Sequence, residues 1–243
     1  MKSSQKNNKE FRFGSFVYHY DLIIQERKSM SLTVRPDLSI CVKCPQEADE
    51  DRIENFLKRK WFWLEKQLSF FKKYQRKVYK KDYVSGEGFF YLGRQYKLKI
   101  EGSPEERVVL SRGLLTVFTS KDLRNTSYNK ILIGRWYKEK TDKIFRERYE
   151  LMLEYFKPKE KPKLVIKEMK RRWGSYLKNN TIILNSKLIH SSKECIDYVI
   201  AHELCHMNHK NHDKKFYNLL EKKFPNWRKV KEKLEITGIQ FFD

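Results

Sequence analysis

Two histidines four residues apart, with a glutamate beside the first, are the part of this chain best equipped for chemistry: His202-Glu203-Leu204-Cys205-His206. On a helix the i, i+4 spacing places both imidazoles on one face, one turn apart, where they can grip a single metal ion. Glu203 then lies beside the metal without being forced into its coordination sphere. A base must sit there to take a proton from a zinc-coordinated water, whose pKa the metal lowers to about 7. The chemistry these five residues predict is metal-assisted hydrolysis.

The same pattern occurs in ordinary solvent-facing helices, and the flanking residues argue against that reading. Ser191-Ser192-Lys193-Glu194 contains the S-x-x-E of a capping box, a start signal for a helix. Ile196, Val199 and Ile200 follow at the spacing of a buried stripe, and Glu203 continues that stripe at i+7. A carboxylate on an apolar face is costly unless it is paired or works with a metal.

A catalytic zinc wants a third protein ligand and an open position for water. His209 and His212 compete for the place. A straight helix rises about 1.5 Å per residue, which puts His209 roughly 10 Å along the axis from His202. His212 reaches the metal if the chain turns back after His206, and Asn208 and Asn211 tolerate the left-handed backbone such a turn needs. The spacing favours His212 as third ligand and His209 as a rim residue able to bond substrate; Glu221 is a further candidate ligand. The His202-to-His212 spacing also matches metzincins. Those need a glycine where this chain has His209 and a methionine turn downstream, and no methionine follows Met207.

The elements that must position these residues read as α+β. Lys178-Asn179-Asn180 is a turn signal, and Thr181 to Leu184 reads as a short strand ending at Asn185. Upstream, Met30–Val34 and Ser39–Cys44 flank Arg35-Pro36-Asp37 as a hairpin, and a helix runs from Glu47 to about Lys73. Gly88–Ile100 and Arg107–Thr119 read as further strands, with Ser111-Arg112-Gly113 as a turn. Ser127–Phe156 reads as a long helix leading through the basic, proline-broken 157–163 segment into the catalytic part. No internal repeat is visible. The expected division is a strand-rich region 1–125 carrying a basic helix at 47–81, then a compact catalytic region 126–243 with a small sheet, the active-site helix and C-terminal helices.

From Met169 to Leu234 the chain resembles the YgjP-like family of predicted metal-dependent hydrolases, small zincins akin to the SprT-like and WLM groups. The residues that carry the resemblance are Met169 through Ser175, Ile183-Leu184-Asn185, Ile196 through Leu204, Asn211-His212 and Phe216. Leu32 through Asp37 and the helix after Pro45 fit the family's amino-terminal part more loosely. The resemblance implies a zincin-like fold, a Zn2+ cofactor and His212 as third ligand. It also implies that the strand at 181–184 lies beside the active-site helix, where an extended substrate can pair with it; a strand that merely completes the sheet is the alternative. The family usually continues Trp-Gly-Ser with cysteine, and this chain has Tyr176.

The remaining candidates around the cleft are Arg172, Trp173, Asn185, Tyr198, His209 and Asn211, as substrate contacts or supports of the site; Tyr198, Asn211 and Arg172 are the candidate transition-state stabilisers. Arg171, Arg172 and Trp173 either line the cleft or cap the sheet.

Composition sets the outer limits. A chain of 243 residues with 40% hydrophobic and 14% aromatic residues can bury a substantial core. No apolar run approaches the roughly 18 residues of a membrane span, and Met1–Glu10 lacks the apolar core of a signal peptide, which predicts a soluble, cytoplasmic protein with no membrane partner. Four cysteines are too few for a disulfide scaffold. Cys41 and Cys44 lie on a strand and read as buried apolar residues rather than half of a zinc knuckle.

Net charge is +22, and ten Lys or Arg residues concentrate between Lys58 and Lys81, interleaved with Trp61, Trp63, Phe70, Phe71 and Tyr74. Such a stretch attracts phosphate backbones and its aromatics can stack on bases; equally, the aromatics can pack inward beneath solvated lysines. Three functions follow. The first is a zinc metallopeptidase with Glu203 as general base, acting on a peptide or protein. The second is a metal-dependent pyrophosphatase of nucleoside triphosphates, an activity the resemblance brings with it. The third, of a different class, is a nucleic-acid-binding module with a structural metal.

Overall fold

The computed structural model describes residues 6–35, 37–74, 81–239 and 241. The chain divides into two compact units, Met1–Lys77 with Phe242–Asp243, and Val78–Phe241. Helices and three small sheets make it α+β, as the sequence predicts. Within the second unit the strands of 88–119 pack on the helix that follows them.

In the first unit β1 (Lys6–Phe13), β2 (Phe16–Ile24), β3 (Ser31–Val34) and β4 (Ile40–Cys44) form a sheet of order β1-β2-β4-β3. The two hairpins are antiparallel, and β2 joins β4 in parallel. The sequence reading assigns no strands to β1 and β2, yet Tyr18, Tyr20 and Leu22 are buried at the alternating positions of β2, the period of a one-sided strand. The turn between β3 and β4 includes Pro36, which lies outside the described residues. Helix α1 (Glu50–Tyr74) lays Ile53, Leu57, Leu64 and Leu68 on this sheet. The rest of the predicted basic segment, residues 75–80, lies outside the described residues. The aromatics of α1 divide between the two readings: Trp61 and Phe71 pack on the core, while Trp63 is 41% exposed. Cys41 and Cys44 are buried in β4, and all four cysteines are free.

In the second unit the run 88–100, read as one strand, is a hairpin, and 107–119 is a hairpin about the predicted turn at 111–113. β5 (Gly88–Tyr91) and β6 (Arg94–Gly102) turn at Leu92-Gly93; β7 (Arg107–Ser111) and β8 (Leu114–Thr119) turn at Arg112-Gly113. All four turn residues have positive φ, as a two-residue loop that follows the strand twist requires. The order β5-β6-β8-β7, with β6 and β8 parallel, repeats that of the first sheet, and a long helix again follows. A repeat invisible in the sequence is therefore present as topology.

That helix, α2 (Thr126–Phe156), is started by the Asn125 side chain accepting from Tyr128 N and ends at a left-handed Lys157. Its first half contributes Leu132, Ile133 and Trp136 to the core under β5–β8. Its second half contributes Ile144, Phe145, Tyr149, Met152 and Leu153 to the core formed with residues 182–234.

The rest of the unit adds β9 (Lys163–Lys167), β10 (Gly174–Leu177) and β11 (Thr181–Asn185) in the order β10-β11-β9, with β11 parallel to β9 and antiparallel to β10; the strand at 181–184 is therefore paired on both sides and completes the sheet, leaving no free edge for a substrate. The predicted turn at 178–180 joins β10 to β11 through a left-handed Asn180. Helices α3 (Lys193–Cys205), α4 (Lys214–Lys223) and α5 (Trp227–Gly238) follow a single 3-10 turn. Among the described residues no helix is long and apolar enough to cross a membrane.

Candidate metal centre

The helix that carries the motif starts one residue later than the capping box predicts. Ser192 is its cap, accepting from Cys195 N, while Ser191 Oγ instead donates to Leu188 O. Ile196, Val199, Ile200 and Glu203 are all buried, and so are most of the other residues of α3. Arg148 of α2 holds the outer side of this helix by pairing both of its nitrogens with the carboxylate of Asp197, at 2.7 and 2.5 Å.

After His206 the chain turns tightly, with Met207, Asn208 and His209 amides bonding back to Leu204 and Cys205 carbonyls. Neither Asn208 nor Asn211 is left-handed, contrary to expectation: these i→i+3 bonds tighten the helix end and reverse the chain without positive φ. Asp213 then caps α4 by accepting from Phe216 N. This cap sets His212 at the mouth of α4 and Phe216 one turn inside it.

The structure brings His202, His206 and His212 together. One ring nitrogen of each lies within 4.8 Å of the others, and His202 Nε2 is 2.9 Å from His212 Nε2. Ligands about 2.0–2.1 Å from a tetrahedral zinc lie about 3.3 Å apart, so the cluster has the dimensions of a single site. The donor set, three imidazole nitrogens and no carboxylate, is one that zinc accepts. Burial, with His206, His212 and Lys231 nearby, lowers the His202 pKa to about 3, and the same influences lower that of His212, so both rings are held in the neutral form that binds metal. His206 Nδ1 bonds the carbonyl of His209 at 3.0 Å, which leaves its Nε2 lone pair directed elsewhere. His202 Nδ1 is buried and meets no partner among the described residues. Phe216, fully buried, packs its ring 5.0, 4.8 and 4.7 Å from those of His202, His206 and His212.

Glu203 is 5% exposed on the floor of the same cavity. Burial pushes its pKa up to about 8, against the pull of the Tyr176 backbone N–H and the Arg172 charge. Its carboxylate rests against the backbone of β10 at Gly174. A Cβ at that position would lie 2.7 Å from Glu203 Oε1 and 2.7 Å from Val199 Cγ1. The sequence reading gives Gly174 no role, and the signal that could have found it is the glycine opening a strand next to the motif's helix.

Of the other candidates, Arg172, Trp173 and Tyr198 line the cavity, whose volume is about 930 Å³. Tyr198 sets its ring 6.0 Å from that of His202, and burial raises its hydroxyl pKa, which keeps it a hydrogen-bond donor. Asn185, His209 and Asn211 do not line it. Asn185 is fully buried and holds the segment before β10: its Nδ2 donates to the carbonyls of Met169 and Arg172, each at 2.7 Å. His209 enters through its backbone oxygen. Glu221 lies elsewhere, accepting from Trp227 and Arg228. Tyr176, at the position where the family usually has cysteine, lines the cavity and donates its hydroxyl to Asn180.

The three imidazoles and the buried Glu203 thus meet at one open cavity bordered by the edge strand β10. The family described as "YgjP-like, metallopeptidase domain" matches residues 28–237, and the chain belongs to that family. No curated protein matches it. Two solved structures are similar. The metallopeptidase zymogen jannalysin of Methanocaldococcus jannaschii is 29% identical over 38% of this chain and 92% of that one, with a TM-score of 0.34. The metallopeptidase zymogen abylysin of Pyrococcus abyssi is 23% identical over 40% of this chain and 94% of that one, with a TM-score of 0.36.

Proposed function

We propose that the chain is a zinc metallopeptidase in which His202, His206 and His212 hold the metal and Glu203 is the general base. The convergence of the three imidazoles beside Glu203, in a chain of a metallopeptidase family, carries this reading. When bound, zinc supplies Lewis acidity toward the attacking water and the scissile carbonyl. The protein supplies the rest. Glu203 takes the proton of the attacking water on its carboxylate and passes it to the leaving amine, a role suited to a buried carboxyl that ionises near neutrality. The Tyr176 amide and the bare backbone at Gly174 fix where that carboxylate points. The Tyr198 hydroxyl is the donor closest in kind to what the developing oxyanion needs. Strand β10 is the edge of its sheet, so its outer backbone groups other than the Tyr176 N–H, which Glu203 takes, are available to an extended peptide.

Zinc content and peptide turnover of native protein and Glu203→Gln test this. The variant keeps its zinc and loses at least about a hundredfold in turnover, the scale of a general base; full activity would end the assignment. His212→Ala loses zinc while His209→Ala retains it, and the opposite result would exchange their roles.

A further inference from the structure

We propose that the cavity selects peptides with acidic side chains beside the scissile bond, through Arg172, Lys178, Lys210 and Lys231. The proposal rests on the peptidase reading above. The four cations come from four separate segments around the cavity: the segment before β10, the turn after it, the loop between α3 and α4, and α5. All four residues are exposed.

The lining contains only two acids. Glu203 is buried on the floor, and Glu235 lies 3.7 Å from Lys231. Arg172, Lys178 and Lys210 form no salt bridge among the described residues, whereas elsewhere on this surface Lys161 pairs with Glu150 and Arg228 with Glu221. A divalent ion on neutral imidazoles adds two positive charges, of which Glu203 offsets one. Single exposed charges contribute little, but charges of one sign around a concavity focus their field on whatever enters it. An incoming lysine or arginine is repelled from all sides, and a glutamate or aspartate is attracted. The apolar walls of Trp173, Tyr176, Tyr198, Met207 and Leu234, together with the β10 edge, fit an extended chain better than a compact polyphosphate.

The test uses fluorescein-labelled ten-residue peptides that differ only in Glu, Gln or Lys on either side of a central Ala-Leu bond. Their binding to Glu203→Gln protein is followed by anisotropy with and without zinc, and their cleavage by native protein in parallel. The Glu peptide is expected to bind about tenfold more tightly than the Gln peptide, one kcal-scale step in affinity, and to weaken as salt rises. The double variant Lys178→Glu/Lys210→Glu should level the three affinities, its two new acids offsetting Arg172 and Lys231; Lys178→Gln/Lys210→Gln should weaken the preference if the reversal disturbs folding. Equal binding of the three peptides, or an order indifferent to both variants, overturns the proposal. So does inorganic triphosphate displacing the Glu peptide at a lower concentration than that peptide's own unlabelled form. Charge-ordered binding without cleavage of any peptide would sink the peptidase reading and leave the acidic preference of the cavity standing.

Discussion

Gly174 and Glu203 share one space: a Cβ on the glycine would stand 2.7 Å from the carboxylate oxygen Oε1. The neighbour that would have to yield is the proposed general base itself. In Gly174→Ala the base moves or β10 shifts, and turnover falls by at least about tenfold while overpacking costs about 1–3 kcal/mol. Zinc content stays at the native level. Native turnover in this variant would show that the carboxylate tolerates displacement, and with it that the close approach has no catalytic meaning.

Asn185 acts on the site through the segment it holds. Asn185→Ala removes two donations, to Met169 O and Arg172 O, at a cost of about 1–3 kcal/mol. With that segment loosened, Arg172 and Trp173 lose their fixed places on the cavity wall. KM for peptides should rise more than kcat falls, and limited proteolysis should cut between 168 and 173 in the variant but not in the native chain. A variant changed in stability alone would make Asn185 a residue of the core and nothing more.

The pair of Arg148 and Asp197 fastens α2 to α3 one turn before His202. The two side chains are 22% and 12% exposed, so the loss on breaking the pair lies below the roughly 3–5 kcal/mol of a fully buried one. Asp197→Ala should cost about 2–3 kcal/mol by that comparison and leave Arg148 without its partner. Replacing both with apolar residues should recover most of the loss, which urea denaturation of the two variants would measure.

Phe216 gives the three histidines a common floor. Phe216→Leu retains an apolar side chain there but loses the flat surface, and supports of this kind are worth about 10–100-fold in metal affinity. Competition with a fluorescent zinc chelator would read that factor directly. An unchanged affinity would mean the rings hold their positions without it.

Removal of zinc by a chelator should abolish peptide turnover and lower the melting temperature. A ligand at about a hundred times its Kd stabilises a folded state by about 2.7 kcal/mol. The secondary structure should persist, because α3 is buried by apolar contacts that do not involve the metal. Unfolding on chelation would instead assign the metal a structural role.

What could be read from the chain was what short-range rules govern. The i, i+4 pair on an apolar helix, the reversal needed to bring His212 back, and the turn at 178–180 each follow from spacing over a few residues. The chemistry of the turn after His206 did not, since amides bonding back into the helix end achieve the reversal that left-handed asparagines were expected to make. The hairpin inside the run 88–100 escaped because Leu92-Gly93 carries a weaker turn signal than Ser111-Arg112-Gly113, which marks the hairpin of 107–119, and because the run is long enough to pass as one strand. The roles of Gly174 and Asn185 were out of reach for another reason. Each depends on what another segment brings against it, Glu203 in one case and the carbonyls of 169 and 172 in the other.

Helix α2 belongs to two cores at once, with Trp136 under one sheet and Phe145 beneath the catalytic helix. Fraying of the half under β5–β8 therefore runs along the same helix toward the residues that pack against α3, which couples the stability of the two cores. Heat or denaturant that loosens the sheet at 88–119 is thereby felt at His202, and a cavity cut beneath Trp136 lowers the free energy that keeps the histidines assembled.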